Sequence, residues 1–105
     1  MHTFIEITRH SPENCPMYNE KVRKIMFQGF NRLEELLKKY GVKMIGGWAV
    51  STEHLMFAVY EAPSLEAFEK LGMEWEKITR AGAFFTCEIK LANNLEEMMK
   101  MLKQS

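Results

Sequence analysis

Two stretches of 3.6-residue apolar periodicity alternate with four short runs of period two, in the order β-α-β-β-α-β. That order limits the folds open to the chain more than any other feature. The runs Thr3–His10, Val42–Val50, Leu55–Glu61 and Ala83–Leu91 read as strands. The first helical stripe comprises Val22, Ile25, Met26, Gly29, Phe30, Leu33, Leu36, Leu37 and Tyr40, with Gly41 as its stop. It starts either at Ser11-Pro12 or with Cys15 directly before Pro16. The second carries Leu65, Phe68, Leu71, Trp75 and Ile78, capped by Ser64 and ended by Gly82. A terminal helix over 93–105 opens on Asn94 with Glu97 three residues on, a capping-box spacing. Its sticky side is Leu95, Met98, Met99 and Leu102. Gly46-Gly47 interrupts the second strand, as a bulge or close backbone approach would.

Four strands and two long helices in this order predict an α+β, ferredoxin-like antiparallel sheet with both helices on one face. The 105 residues fit one domain, 1–105, with no linker or repeat to divide it. Alternation sorts the strand residues onto two faces. Ile5, Ile7, Phe57, Val59, Phe85 and Ile89 are expected beneath the helices. Phe4, Glu6, Thr8, His10, Met56, Tyr60, Phe84, Thr86 and Glu88 are expected on the other face. A sheet face that is half aromatic or Met is rarely left bare, so a second copy should cover it, enclosing a barrel-like interior where a small ligand can bind.

The segment Gly46-Gly47-Trp48-Ala49-Val50 through Val59-Tyr60-Glu61-Ala62, followed by a helix containing Glu74-Trp75, resembles the dimeric α/β-barrel superfamily. In particular it is similar to a poorly characterised branch of small proteins there. The resemblance covers nearly the whole chain and implies a homodimer with small-molecule chemistry of the monooxygenase or isomerase type. Some heme-degrading members of that superfamily use an Asn, a Trp and a His. This chain offers Trp48 and His10 but no Asn at an assignable position, which argues against heme.

The chemistry-bearing residues gather where the first strand gives way to the first helix, at Arg9-His10-Ser11-Pro12-Glu13-Asn14-Cys15-Pro16. His10 is a candidate base or metal ligand. Cys15, if it opens a helix, is a candidate nucleophile or soft metal ligand. Glu6 and Glu88, expected as neighbours on one face, are a candidate acid–base pair. Thr8, Trp48, Tyr60 and Phe84 are candidate ligand contacts. His54 falls in a hairpin turn, where an exposed imidazole is the ordinary outcome; with His10 and Cys15 it would complete a donor set suited to zinc or copper. Cys87, among Phe85, Ile89 and Leu91, reads as core.

Composition narrows the classes. Lys plus Arg and Asp plus Glu are 14 each, so the net charge is zero, which argues against a nucleic-acid partner. No run of about 18 apolar residues is present, so no membrane span is expected. The first residues lack a basic segment leading into a long apolar run, so a signal peptide is not expected either. Two cysteines without CxxC spacing then fit free thiols in a cytoplasmic setting. Two further classes remain beside the small-ligand reading: a non-catalytic metal- or thiol-dependent module built on His10 and Cys15, and a structural protein whose tail helix builds oligomers.

Overall fold

In a computed structural model that describes residues 1–104, four antiparallel strands form one sheet in the order β2-β3-β1-β4. The elements are β1 (His2–Arg9), α1 (Glu20–Tyr40), β2 (Lys43–Val50), β3 (Leu55–Ala62), α2 (Leu65–Thr79), β4 (Thr86–Ala92) and α3 (Leu95–Gln104). This is the expected ferredoxin-like α+β arrangement. The last position of the expected 93–105 helix, residue 105, lies outside the described residues.

Caps decide where the helices begin. Asn19, not Ser11 or Cys15, caps α1: its Oδ1 accepts from Val22 N at 3.1 Å. Pro12–Asn14 instead forms a separate 3₁₀ turn, and Cys15 follows it with extended backbone, as a residue before proline prefers. Cys15 therefore does not open a long helix, and the expected thiolate at a helix start is corrected. Ser64 caps α2 through Ala67 N at 3.0 Å. That helix stops at Arg80 in the left-handed conformation, two residues before Gly82. Gly41, at φ 66°, ends α1 as expected, and Asn94 Oδ1 accepts from Glu97 N at 2.8 Å at the start of α3.

The two sheet faces are the reverse of the expectation. The core under α1 and α2 is built on Phe4, Ala58, Tyr60 and Ala62, with Leu36, Val42, Phe68 and Leu71. Phe68 stacks on Phe4 at 4.7 Å and tilts against Tyr60 at 5.2 Å. The helices therefore cover the Phe4–Glu6–Thr8 face, while Ile5, Ile7, Phe57 and Val59 lie on the open one. Small residues supply the reason: Ala58 and Ala62 let α2 approach the sheet closely enough for Phe68 to reach both rings. The α1 stripe buries Val22, Gly29 and Leu36, a seven-residue spacing. Trp75 of α2 lies across Gly29 and donates from Nε1 to its carbonyl at 3.2 Å. Phe30, expected in the stripe, is exposed.

The glycine pair in β2 does mark a bulge. Met44 pairs with Tyr60, but Gly46 pairs with Val59, leaving Ile45 as the extra residue. Unbroken register would put Trp48 opposite Met56 on the helix side. The extra residue puts it opposite Phe57 on the open side, where the two rings stack at 5.4 Å. Gly46 is needed there, because a Cβ would meet the Trp48 ring at 2.7 Å.

Neither long helix packs over β4. Cys87, Ile89 and Leu91, on its helix-facing side, are exposed, Leu91 at 69%. Cys87 is thus not core. The 3₁₀ turn Ala81–Ala83 replaces the first part of the expected strand, so Phe84 and Phe85 precede β4. No helix among the described residues is long and apolar enough to cross a membrane.

Candidate functional site

The register of β1 with β3 and β4 sets which candidates meet. Thr8 lies opposite Met56 and Cys87, and Glu6 opposite Ala58 and Ile89. Thr8, Glu6 and Cys87 therefore share the helix-facing side with Phe4 and Tyr60. Because α1 and α2 leave β4 uncovered, the β4 flank of this group is exposed at Cys87.

Glu6 is half-buried there. Burial raises its carboxyl above the ordinary range, and a hydrogen bond from the Cys87 thiol offsets part of that rise. The thiol is in turn pushed up to about 11, first by desolvation and then by the Glu6 charge. Burial, with the Glu6 and Cys87 charges, also raises the Tyr60 phenol. All three groups therefore favour their neutral, protonated forms. A carboxyl moved toward neutrality is suited to proton transfer.

Glu88 is not the partner of Glu6. It pairs with Ile7 on the open face, where Lys90 at 2.8 Å and Arg9 at 3.3 Å hold its carboxyl below the ordinary range. The expected carboxylate pair fails because the alternation of β4 is one residue out of step with the assumed pairing. Trp48, 54% exposed on the open face, is likewise separated from Glu6 by the sheet. Phe84 sits in the turn before β4 beneath the Lys21 ammonium, 5.5 Å from its ring centre. The useful partner that sequence reasoning missed is Cys87, which alternation alone placed with the wrong neighbours.

At the carboxyl end of β1 three donors converge. The His10 amide donates to the His54 carbonyl at 3.2 Å, extending the β1–β3 ladder by one rung. His54 closes the 3₁₀ turn Ser51–Glu53 in the left-handed conformation at φ 52°, and its ring meets that of His10 edge-on at 5.2 Å. Cys15, 3% exposed, folds back from the Pro12–Asn14 turn. One ligand atom each from His10, Cys15 and His54 lies within 4.8 Å of the others, and no fourth His, Cys, Asp or Glu among the described residues joins them. His54 is therefore not the exposed imidazole that a hairpin turn suggests. Phe85 stands edge-on to His10 at 5.6 Å. Burial, and secondarily the His54 charge, lowers the His10 pKa. Both ring nitrogens of His10 and Nδ1 of His54 are buried without a hydrogen-bond partner among the described residues.

The loop that carries Cys15 is tied at both ends. The Cys15 carbonyl accepts from Tyr18 N at 3.0 Å and Asn19 N at 2.8 Å. Asn19 Nδ2 donates to the Glu13 carbonyl at 3.0 Å, and Arg23 donates to the Pro16 and Met17 carbonyls. The thiol's place is fixed by backbone bonding and not by side-chain freedom. By contrast, the shallow depressions on the outer side of α1 are lined by exposed residues such as Asn31, Arg32 and Lys38, with no converging buried group.

A family model described as "Domain of unknown function (DUF3303)" matches residues 12–105. No curated protein matches the sequence. Among solved structures, the chain is similar to protein Atu4242 from Agrobacterium tumefaciens, with a TM-score of 0.57 at 14% identity, covering 89% of this chain and 92% of that one. It is similar to SCO4226 from Streptomyces coelicolor A3(2), with a TM-score of 0.54 at 17% identity, covering 88% and 96%. Muconolactone isomerase gives a TM-score of 0.57 at 14% identity, covering 90% of each chain. At these identities the likeness is one of fold alone, that of a small ferredoxin-like α+β domain.

Proposed function

We propose that this chain, which belongs to the DUF3303 family, folds as one unit, works as a homodimer, and binds a small molecule in a groove between sheet and helices. The observation that carries the ligand reading is Glu6: a half-buried carboxyl, raised above its ordinary range, on the helix-facing side of the sheet beside the uncovered β4. Tyr60, Thr8 and Cys87 offer hydroxyl and thiol groups beside it. The ligand class that fits is a small molecule with carbonyl or hydroxyl oxygens to take up those donors. The chemistry that fits is proton transfer of the isomerase kind, with Glu6 as the acid or base; a protein of similar fold, muconolactone isomerase, is by its name an isomerase.

The homodimer reading rests on the open face. Ile5, Ile7, Phe57, Val59 and Trp48 lie together on the open face, which neither long helix covers among the described residues. A second copy packed there leaves both grooves outward-facing and accessible. Free Cys15 and Cys87 fit a reducing, cytoplasmic setting. A neutral net charge gives no support to a nucleic-acid or membrane partner.

Native mass spectrometry of the freshly purified full chain tests both parts. The expected result is a dimer that retains a small-molecule adduct. Trp48→Glu, which places a charge in the open face, should give a monomer. Glu6→Ala should stay dimeric and lose the adduct. A wild-type monomer ends the homodimer reading, and an adduct held equally well by Glu6→Ala ends the groove reading.

A further inference from the structure

We infer that His10, Cys15 and His54 form a three-ligand transition-metal site, with two imidazole nitrogens, one thiolate and a fourth position left to an exchangeable ligand. The inference needs neither the homodimer nor the groove. It starts from unmet bonding. His10 and His54 bury three ring nitrogens that no donor or acceptor among the described residues satisfies, and an unsatisfied buried polar atom is costly. The two rings do not stand apart: one nitrogen of each and the Cys15 sulfur lie within 4.8 Å of one another. Tetrahedral bonds of about 2.0–2.3 Å put neighbouring ligand atoms about 3.5 Å apart. Side-chain adjustments of about an ångström therefore close the site without moving the backbone.

The backbone is already arranged for it. His10 and His54 are held together by the ladder bond between them. His54 occupies a left-handed conformation at φ 52°, which histidine tolerates better than most residues but which still costs energy. Cys15 is pinned by its own carbonyl to Tyr18 and Asn19. Three segments far apart in sequence thus deliver one donor each to one buried point.

The donor set selects the ion. Imidazole and thiolate favour zinc, cobalt, nickel or copper over magnesium or calcium, which take oxygen. Binding replaces the Cys15 S–H bond with a sulfur–metal bond and releases that proton to solvent. Three protein ligands are the number found where zinc keeps a position for water or substrate, whereas structural sites are closed by four.

Cobalt(II) is the probe, added alone to the full chain after chelator treatment under reducing conditions. The expected result is saturation at one cobalt per chain, with a near-ultraviolet sulfur-to-cobalt charge-transfer band and a rise in the thermal midpoint that magnesium does not produce. Cys15→Ser should lose the band. His10→Ala and His54→Asn should weaken cobalt binding at least about tenfold, Asn being chosen because it keeps the left-handed turn. His2→Ala, at the far end of β1, should bind as the wild type does. Circular dichroism of each metal-free variant checks that it is folded. Folded wild type without the band, or a band that survives in Cys15→Ser, overturns the site. Cobalt bound without any small-molecule adduct leaves the site standing and the groove reading fallen; an adduct retained without cobalt binding does the reverse.

Discussion

Glu6 and Cys87 show how two residues on adjacent strands set each other's chemistry. Burial raises the cost of ionising Glu6 and the Cys87 thiol offsets part of it, whereas Cys87 is made harder to ionise by desolvation and then by the Glu6 charge beside it. Cys87 is exposed, yet its thiol is pushed up to about 11, so its alkylation by a thiol reagent should be slow near neutrality and speed up toward that value. Glu6→Gln removes the neighbouring charge and should move the rate profile to lower pH; an unmoved profile would separate the two groups. The same substitution tests linkage. A carboxyl whose folded pKa is raised gives its full stability below the unfolded value and loses it as pH climbs through the folded one. Urea denaturation should therefore show Glu6→Gln gaining on the wild type from acid toward neutral pH.

Helix α1 is placed on α2 by an absence of side chain. At Gly29 a Cβ would come within 2.6 Å of the Trp75 ring, whose indole N–H is bonded to the Gly29 carbonyl. Gly29→Ala must push the indole away and loosen that bond. Overpacking of this kind costs about 1–3 kcal/mol, read as a lower denaturation midpoint. Gly72, on the same pair of helices, has nothing within 4 Å of a built Cβ, and Gly72→Ala should be neutral or slightly stabilising. A Gly29→Ala variant as stable as Gly72→Ala would mean that the helix contact is looser than this packing implies.

At the scale of the whole molecule, two apolar surfaces stand out among the described residues. One is the open sheet face. The other is the side of α3 carrying Leu95, Met98 and Met99, all exposed. Removing residues 93–105 should change the mass in solution if α3 serves assembly, while ligand and cobalt binding persist, because neither set of residues includes α3. Sedimentation of the truncated chain checks this; an unchanged mass would assign α3 no part in assembly.

Element type was legible in sequence because it is local. Alternation in Thr3–His10, the Val22–Gly29–Leu36 spacing, and the caps at Ser64 and Asn94 act within a few residues of themselves. The bulge at Gly46-Gly47 was legible as an irregularity, but its direction was not. One extra residue flips Trp48 across the sheet, and only the partner strand's register decides where that residue is inserted. The face under the helices was undecided for a related reason: Phe4 and Tyr60 are as apolar as Ile5 and Phe57, and the choice fell to close approach over Ala58 and Ala62. The Glu6–Glu88 pairing failed on register alone. His10, Cys15 and His54 were each visible as residue types able to bind metal, but nothing local brings position 54 to position 10. By itself, the sequence determined which segments are strands and helices and which residues have useful chemistry. Tertiary structure decided which of those residues meet, because meeting depends on strand register and packing between segments that are distant along the chain.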